Sequence, residues 1–458
     1  MHEPAAGRAA MIGPASTVPN SESKGKQMQG DLALDCNALR NIAFSLAATA
    51  LVAFEGNIVT FFSGALADLP GWRAVYYAYW LATLGVAAIV IVNERKIVDG
   101  TWPALVTCFI SAAFVLLHPV DFVAKNYLVA MGLCASLTVL SAACGITRVL
   151  RLGAAITAFS AAMCLVDILL PHGFTNSVGR AAGLAQGPNV AAAQLILGAA
   201  VTWRAVPKAW RQSFVVLVAA GVFVTLSRSN LLIAATVTIV ALTPATIKFL
   251  QAWPSGDRLI PDRRAVVAGL LAVFWIGTAT ATNDRFVVAA DSAYHSVGEA
   301  KHAIVRSLSS IDILTDQVNG EEAGFSDELI ELDQRVLTEG MVDSASARSL
   351  LLRRALIRFF DAPWLGLGLV EAHALVPHNT YLLFALAFGW MGFLIPLLFV
   401  GTAAFYVWAR RDTWEFPVAA AALFTMSHDI LLFPASIAIF ALGFCQYSVP
   451  NPPFRLSG

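Results

Sequence analysis

The chain has 458 residues, of which 58% are hydrophobic and 13% charged, and its formal net charge is zero. A chain so long and so apolar cannot be a water-soluble domain; it calls for a bilayer crossed by many helices. The neutral balance gives no general attraction to nucleic acid, which is excluded as a partner, whereas the lipid bilayer is an obligatory one.

Residues 1–36 are rich in Ala, Gly, Pro, Ser and polar side chains. They lack the short apolar core of a signal peptide and read as a disordered cytoplasmic tail. Apolar runs follow near Ile42–Leu66, Ala74–Val92, Ala104–Leu117, Tyr127–Ala143, Leu152–Leu170, Val190–Trp203, Phe214–Leu226, Leu231–Leu250 and Val266–Ala281. Residues 37–282 are therefore expected to hold spans one to nine. The runs Tyr381–Trp408, Phe416–Leu432 and Ala435–Phe444 place spans ten to twelve in residues 378–448, with 449–458 as a second cytoplasmic tail. The expected fold is all-α, a polytopic membrane protein of about twelve transmembrane helices.

Lys and Arg set the orientation. Arg95, Lys96, Arg148, Arg151, Arg204, Lys208, Arg211, Lys248, Arg258, Arg263, Arg264, Arg410 and Arg411 fall in alternate loops, and the intervening short loops carry only Arg73, Lys125, Arg180 and Arg228. The basic loops are expected in the cytoplasm. Both termini then lie inside, and the long loop 283–377 lies outside, which in a bacterium is the periplasm. Its first part is polar with many acidic residues. Ser344–Phe360, SASARSLLLRRALIRFF, reads as an amphipathic helix ended by Asp361-Ala362-Pro363. None of the six cysteines lies in that loop, and no Cys/His spacing suggests zinc, so no metal, cofactor or disulfide is expected there.

Four polar positions stand out on the outer side. At 100° per residue Arg348 shares a stripe with Leu352, Ala355 and Phe359, where a cation is costly unless it meets an anion; Arg353, Arg354 and Arg358 point elsewhere and suit headgroups. Arg180 stands in GRAAGLAQGPN (Gly179–Asn189), a glycine-rich loop that enters a helix at Pro188-Asn189, and helix N-termini favour anions. Arg228 stands in LSRSN (Leu226–Asn230), a tight hairpin between two apolar runs. Each also has a plain structural role open to it: snorkelling, a solvated turn, a partner for helix-end carbonyls. His378 opens the helix that begins HNTYLLFALAFGWMG, and Gly389 and Gly392 interrupt that run. Forked guanidinium groups suit phosphate oxygens, and a histidine suits a base working near neutrality.

The pieces GRAAGLAQGPN, LSRSN, an Arg348-led helix running into DAPWLGLGL, and HNTYLLFALAFGWMG come in this order. The ordered set resembles the O-antigen ligase and O-antigen polymerase superfamily. That resemblance implies a GT-C-like membrane glycosyltransferase, inverting and metal-independent, that takes a glycan from an undecaprenyl-diphosphate donor. The acceptor would be lipid A–core for a ligase or a second lipid-linked glycan for a polymerase of O-antigen or exopolysaccharide. It also implies the bacterial inner membrane, an active site on the periplasmic side, His378 as the base, and Arg180, Arg228 and Arg348 on the diphosphate. Asn189, Asn379 and His428 are supporting candidates. Glu55 in the first span and Asp167 at the end of the fifth read as helix-to-helix hydrogen-bonding groups or weaker site candidates. A small-anion transporter is the alternative from another class; against it, the sequence shows no pair of interrupted spans.

Overall fold

The structure is a computed structural model that describes residues 36–170, 174, 180–252, 263–282, 345–375, 377, 379–410, 414–427 and 430–448. All regular structure among these residues is helical. The order is α1 (Cys36–Ala50), a π-helical turn (Leu51–Glu55), α2 (Ile58–Phe61), α3 (Ser63–Ala67), α4 (Trp72–Asn93), α5 (Arg95–Phe114), α6 (Phe122–Ala143), α7 (Ile146–Asp167), α8 (Pro188–Thr202), α9 (Arg211–Val224), α10 (Arg228–Ala252) and α11 (Arg263–Thr282). Then come α12 (Ala345–Asp361), α13 (Leu369–Ala374), α14 (Thr380–Phe388), α15 (Leu394–Arg410), α16 (Glu415–Met426) and α17 (Pro434–Ser448).

Every apolar run carries a helix. Among the described residues, six helical stretches are long and apolar enough to cross a membrane: Asn37–Glu55, Trp72–Asn93, Arg95–Leu117, Phe122–Ala143, Ile146–Asp167 and Thr380–Ala409. This is a membrane-embedded, all-α protein. Of the other expected spans, α10 and α11 run for 25 and 20 residues, and α8, α9, α16 and α17 are shorter. Helices α8, α16 and α17 have 15, 12 and 15 residues, or roughly 18–22 Å at 1.5 Å per residue, against a hydrocarbon core of about 30 Å.

Helix α17 forms the centre and packs against α5, α6, α7, α8, α15 and the π turn. Ile437 through Leu442, with Phe444 and Cys445, are all buried, as befits a helix that is apolar on every side. Phe440 and Phe444 join Phe399, Phe416 and Tyr406 in one aromatic cluster, and Phe424 stacks on Phe440. Small residues let the helices approach: Gly443 lies under the Phe416 ring, Gly221 against Ala161, and Gly198 against Thr157. The outer surface is the inverse. Leu81, Phe109, Phe274 and Trp408 are each 70% exposed or more, a surface made for lipid.

Two of the apolar runs are broken, one of them where Gly389 and Gly392 interrupt it in the sequence. The Ile42–Leu66 run winds into the π turn, and the helix ends at Gly56 before α2 starts after Asn57, whose φ of 57° lies in the left-handed region. The Tyr381–Trp408 run stops at Gly389, where φ is 69°, and resumes as α15 after one short 3-10 stretch. The carbonyls that α14 frees at its end are taken by another segment. Leu367 N donates to Leu386 O at 2.7 Å, Gly368 N to Ala387 O at 3.0 Å, and Trp390 N to Pro363 O at 2.8 Å. Gly366 and Gly389 allow this backbone-on-backbone approach, since a Cβ on either would overlap the opposing main chain. The segment after α12 is thus bound to the broken helix.

A methyl group at Gly392 would overlap Phe384 O, whereas one at Gly401 meets open space. Gly392→Ala is expected to lower stability by about 1–3 kcal/mol or abolish folded yield, and Gly401→Ala to leave both unchanged. Thermal unfolding of the detergent-purified proteins distinguishes the two.

Candidate functional site

The glycine-rich loop and the 225–230 turn form one interlocked unit. Ala181 N donates to Val224 O at 3.2 Å, and half-buried Arg180 donates through Nε to Thr225 O at 3.1 Å and through Nη2 to Asn189 Oδ1 at 2.9 Å. In return, buried Asn230 donates through Nδ2 to Asn189 O and to Ser227 Oγ, both at 2.9 Å. The turn contains Leu226 with φ 51°, a left-handed conformation rare for a branched side chain. Arg228, half-buried, is the first residue of α10. The structure therefore brings Arg180, Asn189 and the Arg228 turn together, and Asn189 does so with both its side chain and its carbonyl.

Asp167 holds the loop from beneath. Its Oδ2 accepts from Ala182 N at 2.7 Å and Gly183 N at 2.8 Å, and its Oδ1 from Phe174 N at 2.5 Å. Gly183 has φ 56° and lies against the Cys164 backbone and sulfur, so it needs both its dihedral freedom and its lack of a Cβ. Asp167 had two readings in the sequence; its three amide partners show a carboxylate that folds a loop.

The histidine-bearing segments are tied at a second point. His378 and His428 lie outside the described residues, but their neighbours do not. Asn379 caps α14, its Oδ1 accepting from Leu382 N at 3.0 Å, and its Nδ2 donates to Thr425 O at 3.3 Å. Thr380 Oγ1 donates to Ser427 O. The start of α14 is thus bound to the end of α16, a link that sequence spacing gave no sign of. For Arg348 the structure gives the backbone only, in α12, whose first residue is one later than the expected 344; its side chain lies outside the described residues. Of the residues expected on the Arg348 stripe, Ala355 and Phe359 are buried while Leu352 is exposed, and α12 packs on α14.

These points lie at one end of the helix layer. Arg204, just after α8, pairs with buried Glu415 at the start of α16 at 3.0 Å. Helices α8 and α16 pack together, so with the end of one pinned to the start of the other they run antiparallel. The start of α8, which carries Asn189, and the end of α16, which meets Asn379, then share the opposite end. Helix α10, headed by Arg228, packs along both. Chemically, this end carries two half-buried arginines, Arg180 with Nε and Nη2 donating within the loop and turn, and Arg228 at the head of α10. Such an arrangement can grip a phosphate group with forked hydrogen bonds. No protein-family model matches the chain, and no curated protein matches its sequence.

Removing the Asp167 carboxylate leaves three backbone amides without their acceptor. Asp167→Ala is expected to destabilise the protein by about 2–4 kcal/mol and to strip hydrogen-exchange protection from Ala182 and Gly183. Asp121, which accepts one amide at the cap of α6, gives the comparison: Asp121→Ala should cost about 1 kcal/mol and leave the loop protected. Equal effects would deny Asp167 its place in the loop.

Proposed function

We propose that the protein is a membrane glycosyltransferase that moves a glycan from undecaprenyl diphosphate to a hydroxyl acceptor on the periplasmic side of the bacterial inner membrane. The observation that carries this reading is the interlock of the Arg180 loop with the Arg228 turn, at the same end of the helix layer as Asn379. Arg180 and Arg228, with Arg348 from α12, bind the donor diphosphate and stabilise the charge that grows on it as it leaves. His378 accepts the proton of the acceptor hydroxyl while that oxygen attacks the anomeric carbon and the bond to the diphosphate breaks. A single displacement of this kind inverts the linkage. The positive charge that a metal would supply comes from the arginines. A ligase that uses lipid A–core as acceptor fits the motif set first, and a polymerase that uses a second lipid-linked glycan is the variant within the same chemistry.

One feature supports the transporter reading. The α14–α15 span is interrupted at Gly389, and the first apolar run breaks after Glu55; interrupted helices are a recurrent transporter device. Uptake of a small anion into proteoliposomes without glycan transfer would favour that second reading.

In a reconstituted transfer assay, Arg180→Lys and Arg348→Lys are expected to weaken both donor binding and transfer, because an ammonium lacks the fork. His378→Ala should keep donor binding and lower the transfer rate by about 10²–10⁴-fold. Near-normal transfer by folded His378→Ala protein would remove it as the base, and His428 would be tested next. Transfer should persist in EDTA; loss that magnesium or manganese restores would show that arginines do not suffice. In cells, deletion should leave long lipid-linked glycans for a ligase and single repeat units for a polymerase. Cysteine labelling at Ser310 from outside, with protection near Arg410, checks the orientation.

A further inference from the structure

Glu55 sits at the end of the first span, 3% exposed, where the chain winds through the π turn. Its Oε1 receives the Thr157 hydroxyl at 3.1 Å, but that hydroxyl also lies 2.9 Å from Gly153 O and has one hydrogen to give. Its Oε2 is buried with no hydrogen-bond partner. Beside it, Asn57 donates through Nδ2 to Gln194 Oε1 at 2.6 Å and to the Glu55 carbonyl at 3.3 Å. Glu55, Asn57, Thr157, Ser160 and Gln194 line a cavity of about 20 Å³ whose roof is Ala182, Leu184 and Ala185 of the glycine-rich loop.

A carboxylate this deep requires a compensating charge. The helices packed around it offer none among their described residues. On α1, Arg40 lies at the far end near Glu94. On α7, Arg148 and Arg151 are exposed, although Arg151 is two residues from Gly153, beside which Glu55 Oε2 lies, and Asp167 is engaged by the loop amides. Helices α2 and α17 carry no charged residue, and the other titratable group at the cavity is the Cys164 thiol. The compensating charge must then be small and mobile. One carboxylate balances one positive charge, the polar lining is largely oxygen, and the volume is about that of one water.

We propose that this cavity is a site for one monovalent cation, a proton or a sodium ion, held against Glu55 beneath the loop that carries Arg180. The inference rests on the cavity and stands apart from the glycosyl-transfer reading. Occupancy would brace the π turn, Asn57 and the loop roof together, so the ion would act on the outer loop from below.

The test is the thermal unfolding of the full-length protein in detergent, in sodium chloride against choline chloride at equal ionic strength, over a range of pH. A Tm that rises with sodium and loses that rise in Glu55→Gln identifies sodium. A Tm that depends on pH but not on sodium, with the dependence abolished in Glu55→Gln, identifies a proton. Either outcome supports the site. A wild-type Tm indifferent to both, or a Glu55→Gln protein with the wild-type dependence, overturns it. If Glu55→Gln does not fold, Thr157→Val decides: it should shift the midpoint of the dependence by about tenfold, and an unchanged midpoint rejects the proposal.

Discussion

Inside a bilayer no water satisfies a backbone group that a helix leaves unpaired, so each place where a helix stops must be completed by another part of the chain. The architecture follows from how these breaks are closed. The carbonyls at the end of α14 meet the amides of Leu367 and Gly368, the amides of the glycine-rich loop meet the Asp167 carboxylate, and the carbonyls of the 225–230 turn meet Arg180. At each, a polar or glycine residue replaces a helical hydrogen bond with a tertiary one. The breaks can therefore exist only in the folded assembly, and they hold the positions from which function is proposed.

The same constraint shapes the roles of the polar side chains. Asp167 and Glu55 are both buried carboxylates near the glycine-rich loop, yet they differ in what they meet. Asp167 accepts three backbone amides and is complete. Glu55 accepts one shared hydroxyl and keeps one oxygen unpartnered beside a cavity. Hydrogen bonding separates a folding role from a candidate binding role where residue type and depth do not. Arginine shows the same point in reverse, since Arg180 braces its own loop through Thr225 O and Asn189 while being proposed to meet a phosphate.

Much of the fold was legible in the chain. Apolar runs of helical length located the helices on either side of the long loop, and the α12 periodicity placed that helix within one residue at each end, because the burial pattern of a helix is written in its spacing; α13 lay outside every run and was missed. The motif pieces around Arg180 and Arg228 were legible as glycine-rich and tight-turn segments, since only a few residues can adopt such backbones. The two interrupted spans were less so. Gly389 and Gly392 marked one break; Glu55-Gly56-Asn57 is an interruption of the same kind, but the run around it was read through as continuous.

Composition and periodicity by themselves determined that the regular structure of the described residues is helical and that the protein is membrane-embedded, because those properties depend on local transfer energies. Only the tertiary structure decided that Asn230 reaches Asn189 across 41 positions and that Asn379 and Thr380 bind the end of α16. These are pairings between distant segments, and the energy of a hydrogen bond between two such groups exists only once the helices that carry them have packed.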